Sequence, residues 1–249
     1  SWPSSWEPEA RDMLFSILLK RIAIMALLMA VGVYLSRKGF LSEQGSRDLG
    51  AILLRIIIPC VIIKSYITEY SHQRLLELGL SALLALISYV VAMLLSYLVF
   101  GQRRRLENFA AAFCNAGFIG IPLVQAVVGQ EGVFYIAASV ALLNLFQWTY
   151  GVYIMTGRKD TISPKAIARN PVVISIVIGV ALFLSRISLP GILTSTLGYV
   201  ADMNTPVAMI LMGTYLARLP ARRMLDRRAV GCVLMRLVVI PAAVGLVFW

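Results

Sequence analysis

Eight runs of about twenty apolar residues follow one another along this chain, with little polar sequence between them. They cover about 14–35, 48–67, 75–99, 107–128, 132–155, 168–186, 191–217 and 229–248. A helix that crosses a bilayer needs roughly 20 such residues. Lipid offers no partner for a free backbone N–H or C=O, so helices or closed barrels are the spanning forms available. Runs of this length select helices. The composition agrees: 59% of the 249 residues are apolar and 14% are charged, where a soluble domain carries about 25% charged residues. The expected fold class is an all-α polytopic membrane protein. Short connections predict that neighbouring helices pack antiparallel.

The net charge of +11 raises a nucleic-acid partner, and the positions of the charges argue against it. Fifteen of the 23 Lys and Arg residues fall in alternate connections, four fall in the others, and four (Lys20, Arg21, Arg55 and Arg236) fall inside apolar runs. Basic loops stay on the cytoplasmic side. The expected topology puts the N-terminus outside a plasma or inner membrane, with Arg37, Lys38, Arg47, Arg103–Arg105, Arg158, Lys159 and Lys165 on the cytoplasmic face. The cysteines Cys60, Cys114 and Cys232 lie far apart in apolar sequence. They show neither metal-ligand spacing nor a disulfide framework. No cofactor or metal is expected.

The chain also repeats itself. Gly32 to Arg37 matches Gly179 to Arg186, Leu49-Gly50 matches Leu197-Gly198, and Pro59 matches Pro206, at offsets of 147 to 149 residues. Span 1 thus pairs with span 6 and span 2 with span 7. A unit of five crossings places its second copy upside down, which is a transporter plan. The expected organisation is an extramembrane tail at 1–12, a first five-helix repeat at 13–157 and a second, incomplete repeat at 158–249. Ten spans would complete the plan, so two further spans are expected, with a second broken helix near position 262.

The most specific local element is Asn115-Ala116-Gly117-Phe118-Ile119-Gly120-Ile121-Pro122. Two glycines and a proline inside a span work against an unbroken helix. The second half of a broken helix starts with unpaired N–H groups and a partial positive charge, which suit an anion. Asn115, Gly117, Gly120, Ile121 and Pro122 are therefore candidate binding positions. Asn144 and Gln147 lie one turn apart in span 5, share a face, and are candidates to line a cavity beside the break. Interhelical hydrogen bonding is the alternative for both amides.

Charges within the spans are the remaining candidates. Lys20, Arg21 and Lys64 are close enough to span ends to reach the interface. Arg55 and Arg236 lie deeper, and reaching the interface or taking part in a site are both open to them. Asp202 lies eleven residues into its run, roughly 16 Å at 1.5 Å per residue, near a midplane. It is read with Asn204 as a proton-coupling or anchor site, or as a carboxyl bonded across helices, to Arg55 for example. His72 is read as a surface residue.

These motifs resemble the auxin efflux carrier family of membrane transporters. The resemblance rests on Asn115 to Pro122 with Leu123, on Leu49-Gly50 to Pro59, on Leu197-Gly198 to Pro206 with Gly213, and on Arg236 to Pro241. It covers roughly residues 13–249, and the short loop between spans 5 and 6 resembles the compact bacterial type. The resemblance implies inverted five-helix repeats with broken crossover helices 4 and 9. It implies a scaffold of helices 1, 2, 6 and 7 that forms a homodimer, and a moving transport unit of helices 3–5 and 8–10. It also implies small organic anion substrates, such as indole acetate in plants and malate in bacteria.

The expected function is thus a secondary transporter of small organic anions. The alternative is a cation–proton antiporter or channel on a similar frame. Such antiporters use paired carboxylates at the crossing, and Asp202 is the sole acidic residue placed deep in a span. No Ser/His or paired-Asp arrangement at membrane depth points to an enzyme.

Overall fold

A computed structural model of the chain describes residues 8–113, 120–158, 163–187, 189–219 and 227–248. All regular structure among them is helical. Helix α1 (Pro8–Arg37) opens the chain and begins before Met13. The second span is α2 (Glu43–Ile52), a π-helical turn π1 (Leu53–Ile57) and α3 (Ile58–Tyr66). The third is α4 (His72–Phe100). The fourth is α5 (Arg105–Ala112) and α6 (Ile121–Val128). The fifth is α7 (Gln130–Phe146), π2 (Gln147–Gly151) and α8 (Val152–Thr156). After the short α9 (Pro164–Ala168) come α10 (Pro171–Ser185), α11 (Gly191–Asp202) and α12 (Asn204–Arg218). The last span is α13 (Arg227–Leu234), π3 (Met235–Val239) and α14 (Ile240–Phe248).

Local chemistry sets these boundaries. Ser42 accepts from the Gly45 N–H at 3.0 Å and Ser71 from the Arg74 N–H at 3.1 Å, which caps α2 and α4. Asn170 accepts from the Val172 N–H at 2.9 Å, with Pro171 in the first turn of α10. Among the described residues, prolines accompany two of the three π turns, and π2 has none. A proline cannot bond to the carbonyl four residues back, and a π turn absorbs the lost register. Pro59 follows π1 and Pro241 follows π3. Pro206 instead follows a break at Met203, where α11 ends and α12 begins.

Among the described residues, five helical rods are long and apolar enough to cross a membrane: Leu19–Arg37, Glu43–Tyr66, His72–Phe100, Glu131–Thr156 and Arg228–Phe248. Pro171–Ser185 is apolar but shorter. The run at 191–217 is divided at Met203, and the run at 107–128 is divided between α5 and α6.

The helices pack in two groups. In one, α1 lies along α12, and α3 lies along α10 and α11. In the other, α4 packs on α7, α5 and α14, α6 packs on α7, and α13 packs on α5. Contacts of α3 and α10 with α7, and of α1 with α6, join the groups. Their seam is aromatic: the Tyr66 ring meets Phe134 at 5.0 Å and Phe134 meets Phe183 at 5.2 Å, all three buried.

Consecutive spans pack antiparallel where they meet, α4 on α5 and α6 on α7. The most extensive packing joins spans that are not consecutive and that run in the same direction. Helices α1 and α12 both finish at the basic end, where Arg218 donates to the Ser42 carbonyl at 3.1 Å and to Ser46 Oγ at 2.8 Å. Small residues make the close approach possible. A Cβ on Gly32 would stand 2.0 Å from the Ile210 carbonyl oxygen, and one on Gly213 would stand 2.0 Å from that of Met29. In the parallel pair α3/α10, a Cβ on Gly179 would stand 2.5 Å from the Tyr66 ring. Gly179 follows Gly32 by 147 positions, and Gly213 follows Tyr66 by 147. The same offset therefore exchanges the two helix pairs.

Candidate functional site

The π turns supply the geometry of the site. Arg55 lies in π1, Gln147 and Trp148 in π2, and Arg236 in π3. Turns of this kind widen a helix and recur at functional sites. Arg55, Asn144 and Gln147, which the sequence offered separately, line one cavity of about 560 Å³ at the basic end. Phe109 of α5, Trp148, Thr156 and the start of α10 complete its wall. Gly151 closes its floor: it is buried, and a Cβ there would stand 2.8 Å from the Phe109 ring. The volume suits a small organic molecule.

The polar groups of this cavity are few. Asn144 Nδ2 donates to the Val140 carbonyl of its own helix at 2.8 Å, so part of its amide is satisfied locally. Arg55 is exposed and has no ion-pair partner among the described residues. Among the described residues, no carboxylate lines the cavity. One cation, three amides (Asn144, Gln147 and Asn170), the Thr156 hydroxyl and an apolar wall with Trp148 and Phe109 form a surface for an amphipathic anion.

The broken fourth span lies alongside. Asn115 and Gly117 lie outside the described residues, so their expected role is not placed. Gly120 precedes α6 with helical angles, φ −65° and ψ −50°, Ile121 is fully buried, and Pro122 falls in the first turn of α6. The other half of the span is held at its end by Arg236. Its Nη1 donates to the carbonyls of Ala111 at 3.1 Å and Ala112 at 3.0 Å. These are among the last carbonyls of α5, which lack partners within the helix, and a cation suits the negative end of the helix. Cys232 Sγ reaches the Glu107 carbonyl one turn earlier at 3.7 Å. Arg236 therefore serves the break rather than the interface.

Asp202 is paired, and the expectation of Arg55 as its partner is corrected: Lys64 Nζ stands 3.3 Å from its Oδ1. Asp202 lies sixteen residues before Arg218, about 24 Å at 1.5 Å per residue, while Arg218 sits at the basic end. Asp202 lines a second cavity of about 330 Å³, with Arg21, Met25, Gln125 and Thr205. Asn204 is buried, and neither atom of its amide has a partner among the described residues.

Sequence reasoning treated Lys64 and Arg21 as interface anchors and did not single out Phe109, Trp148, Gln125 or Thr205. For Lys64, the signal was its position opposite the repeat segment that contains Asp202. His72 is exposed at the first turn of α4. Cys60 and Cys232 are free and half-buried, and Cys114 lies outside the described residues.

Comparison with known proteins agrees with this architecture. A family model described as membrane transport protein matches residues 17–167 and 160–249. The chain is 25% identical over 213 residues to an uncharacterized transporter of Methanothermobacter thermautotrophicus, across 81% of this chain and 68% of that protein. The chain belongs to the membrane transport protein family, that of the auxin efflux carriers.

Proposed function

We propose that this member of a transporter family is a secondary active carrier of small organic anions, of the carboxylate or auxin-like class. The observation that carries the reading is the cavity at the basic end, which Arg55, the amides of Asn144, Gln147 and Asn170, and an apolar wall line together. A carboxylate would pair with Arg55, amides would fix its orientation, and Trp148 and Phe109 would cover an apolar body. A metal-ion or proton antiporter would call for carboxylates there, and none among the described residues lines this cavity.

The two packing groups support alternating access. The group holding α4 to α8 and the last span carries both halves of the interrupted span, and the group holding α1, α3, α10, α11 and α12 would serve as its frame. Movement of one against the other along the aromatic seam would carry Asn115, Gly120 and the bound anion between the two faces. Proton coupling through Asp202 and a homodimer through spans 1, 2, 6 and 7 belong to the same reading.

The test is uptake in liposomes by the purified protein carrying all the spans of the expected ten-helix plan, with radiolabelled malate and indole acetate. Saturable uptake of one of them is expected. Arg55→Gln should raise KM about ten-fold with little change in kcat, since a hydrogen bond to a charged group is worth roughly 1.5–3 kcal/mol. Cation flux without carboxylate uptake, or an unchanged KM in Arg55→Gln, overturns the reading.

A further inference from the structure

The two cavities share their walls through the internal repeat. Leu54, Arg55, Pro171 and Val172 line the cavity at the basic end. Ala201, Asp202, Ile24 and Met25 line the other. Ala201 and Asp202 follow Leu54 and Arg55 by 147 positions, and Pro171 and Val172 follow Ile24 and Met25 by 147. This is the offset that relates Gly32 to Gly179 and Tyr66 to Gly213. Two wall positions from each of two spans coincide, which a chance match of apolar residues does not produce.

The charge is not shared. Where the basic-end cavity has Arg55, the other has Asp202. That carboxylate lies 3.3 Å from Lys64 Nζ, and Arg21 lines the same cavity. Two cations thus gather beside the second cavity, and one of them is held by a carboxylate of the protein itself.

We propose that the second cavity is a second binding site for a small organic carboxylate, and that Asp202 is a tethered stand-in for that ligand. It holds Lys64 until an incoming carboxylate takes its place. The ligand class rests on the organic-anion reading above. One carboxylate leaves Lys64 as another arrives, and Arg21, which lines the cavity, offsets the negative charge that the ligand adds. The Asp202 side chain is 66% exposed, so its released carboxylate can be hydrated, and pairs this exposed are weak. Gln125 and Thr205 would supply further polar contacts. The two ends then differ in affinity for one ligand: at the basic end it meets an unpaired cation, and at the other it must displace an internal competitor.

The test reads anion access chemically, without flux. In the full chain with Cys60, Cys114 and Cys232 changed to alanine, Thr205→Cys probes the second cavity and Met155→Cys the first. Each is labelled with an anionic and a cationic thiosulfonate reagent, with and without malate. Asp202→Asn should raise the anionic-to-cationic rate ratio at position 205 roughly three- to ten-fold, the scale for one charge removed from a partly solvated site. It should also make malate protect position 205. Lys64→Met added to Asp202→Asn should abolish the protection, and Asp202→Glu should retain the starting ratio. An unchanged ratio or no malate protection at position 205 in Asp202→Asn overturns the proposal. If position 155 still responds to malate and to Arg55→Gln, the organic-anion reading survives that failure. If neither position responds to malate, both readings fall.

Discussion

Gly32 and Gly213 meet backbone to backbone where α1 crosses α12, with no room for a side chain on either. A Cβ at each would stand 2.0 Å from a carbonyl oxygen of the partner helix. Backbone cannot rotate aside as a side chain can, so the helices must separate. Gly32→Ala and Gly213→Ala should each cost more than the 1–3 kcal/mol usual for overpacking. Gly179→Ala meets a tyrosine ring instead and should cost less. Thermal unfolding of the purified chain in detergent ranks the three, and equal midpoints for all of them would contradict this account.

Arg236→Gln removes the guanidinium that holds the carbonyls of Ala111 and Ala112. Insertion should be normal, because the substitution removes a charge from an apolar span. Uptake should fall at least ten-fold, matching loss of charged hydrogen bonds worth roughly 1.5–3 kcal/mol. Arg236→Lys keeps a cation near the end of α5 and should restore part of the activity. Uptake per inserted molecule is the readout, and a wild-type rate in Arg236→Gln would separate this residue from the break.

Trp148 shares its cavity with Arg55, so its fluorescence reports whether anions gather there. With Trp2, Trp6 and Trp249 changed to phenylalanine, iodide should quench Trp148 strongly. Arg55→Gln should lower the iodide quenching constant about two-fold or more, through the lost local charge. Quenching by neutral acrylamide should not change. A parallel fall in both constants would mean that the cavity had closed rather than lost its charge.

Helices α4 and α7 are joined by polar contacts near one end. The Tyr135 hydroxyl donates to Glu77 Oε2 at 2.5 Å, Ser81 donates to the Tyr135 carbonyl at 3.0 Å, and Arg74 pairs with Glu131 at 2.9 Å. Tyr135→Phe should destabilise by about 1 kcal/mol, as for a typical hydrogen bond. Arg74→Ala should cost less, since Glu131 is 64% exposed. Unfolding midpoints of the two variants test the order.

Much of this structure could be read from residue patterns. The apolar runs carry the helices, and the offset between Gly32 and Gly179 reappears in the packing. Pro59 and Pro241 could have announced π1 and π3, because each forbids a hydrogen bond to a known carbonyl. Contacts between distant segments were less legible. Nothing local to Lys64 distinguishes an interface anchor from the partner of Asp202. Arg236 was recognised as deep, but its target lies 124 residues away at Ala112, and no periodicity encodes that. Asn144 and Gln147 line one cavity with Phe109 of α5, and their common face was legible because it is a local property. Asn115 and Gly117 lie outside the described residues and remain part of the proposed site.

Tyr66 and Gly213 hold corresponding places in the two halves, yet one is a full aromatic ring and the other has no side chain. One of these joints is tight backbone on backbone, and the other has a ring as a cushion. Each can be stiffened or loosened by substitution at its own position while the other is left alone, so the frame has two independent adjustments.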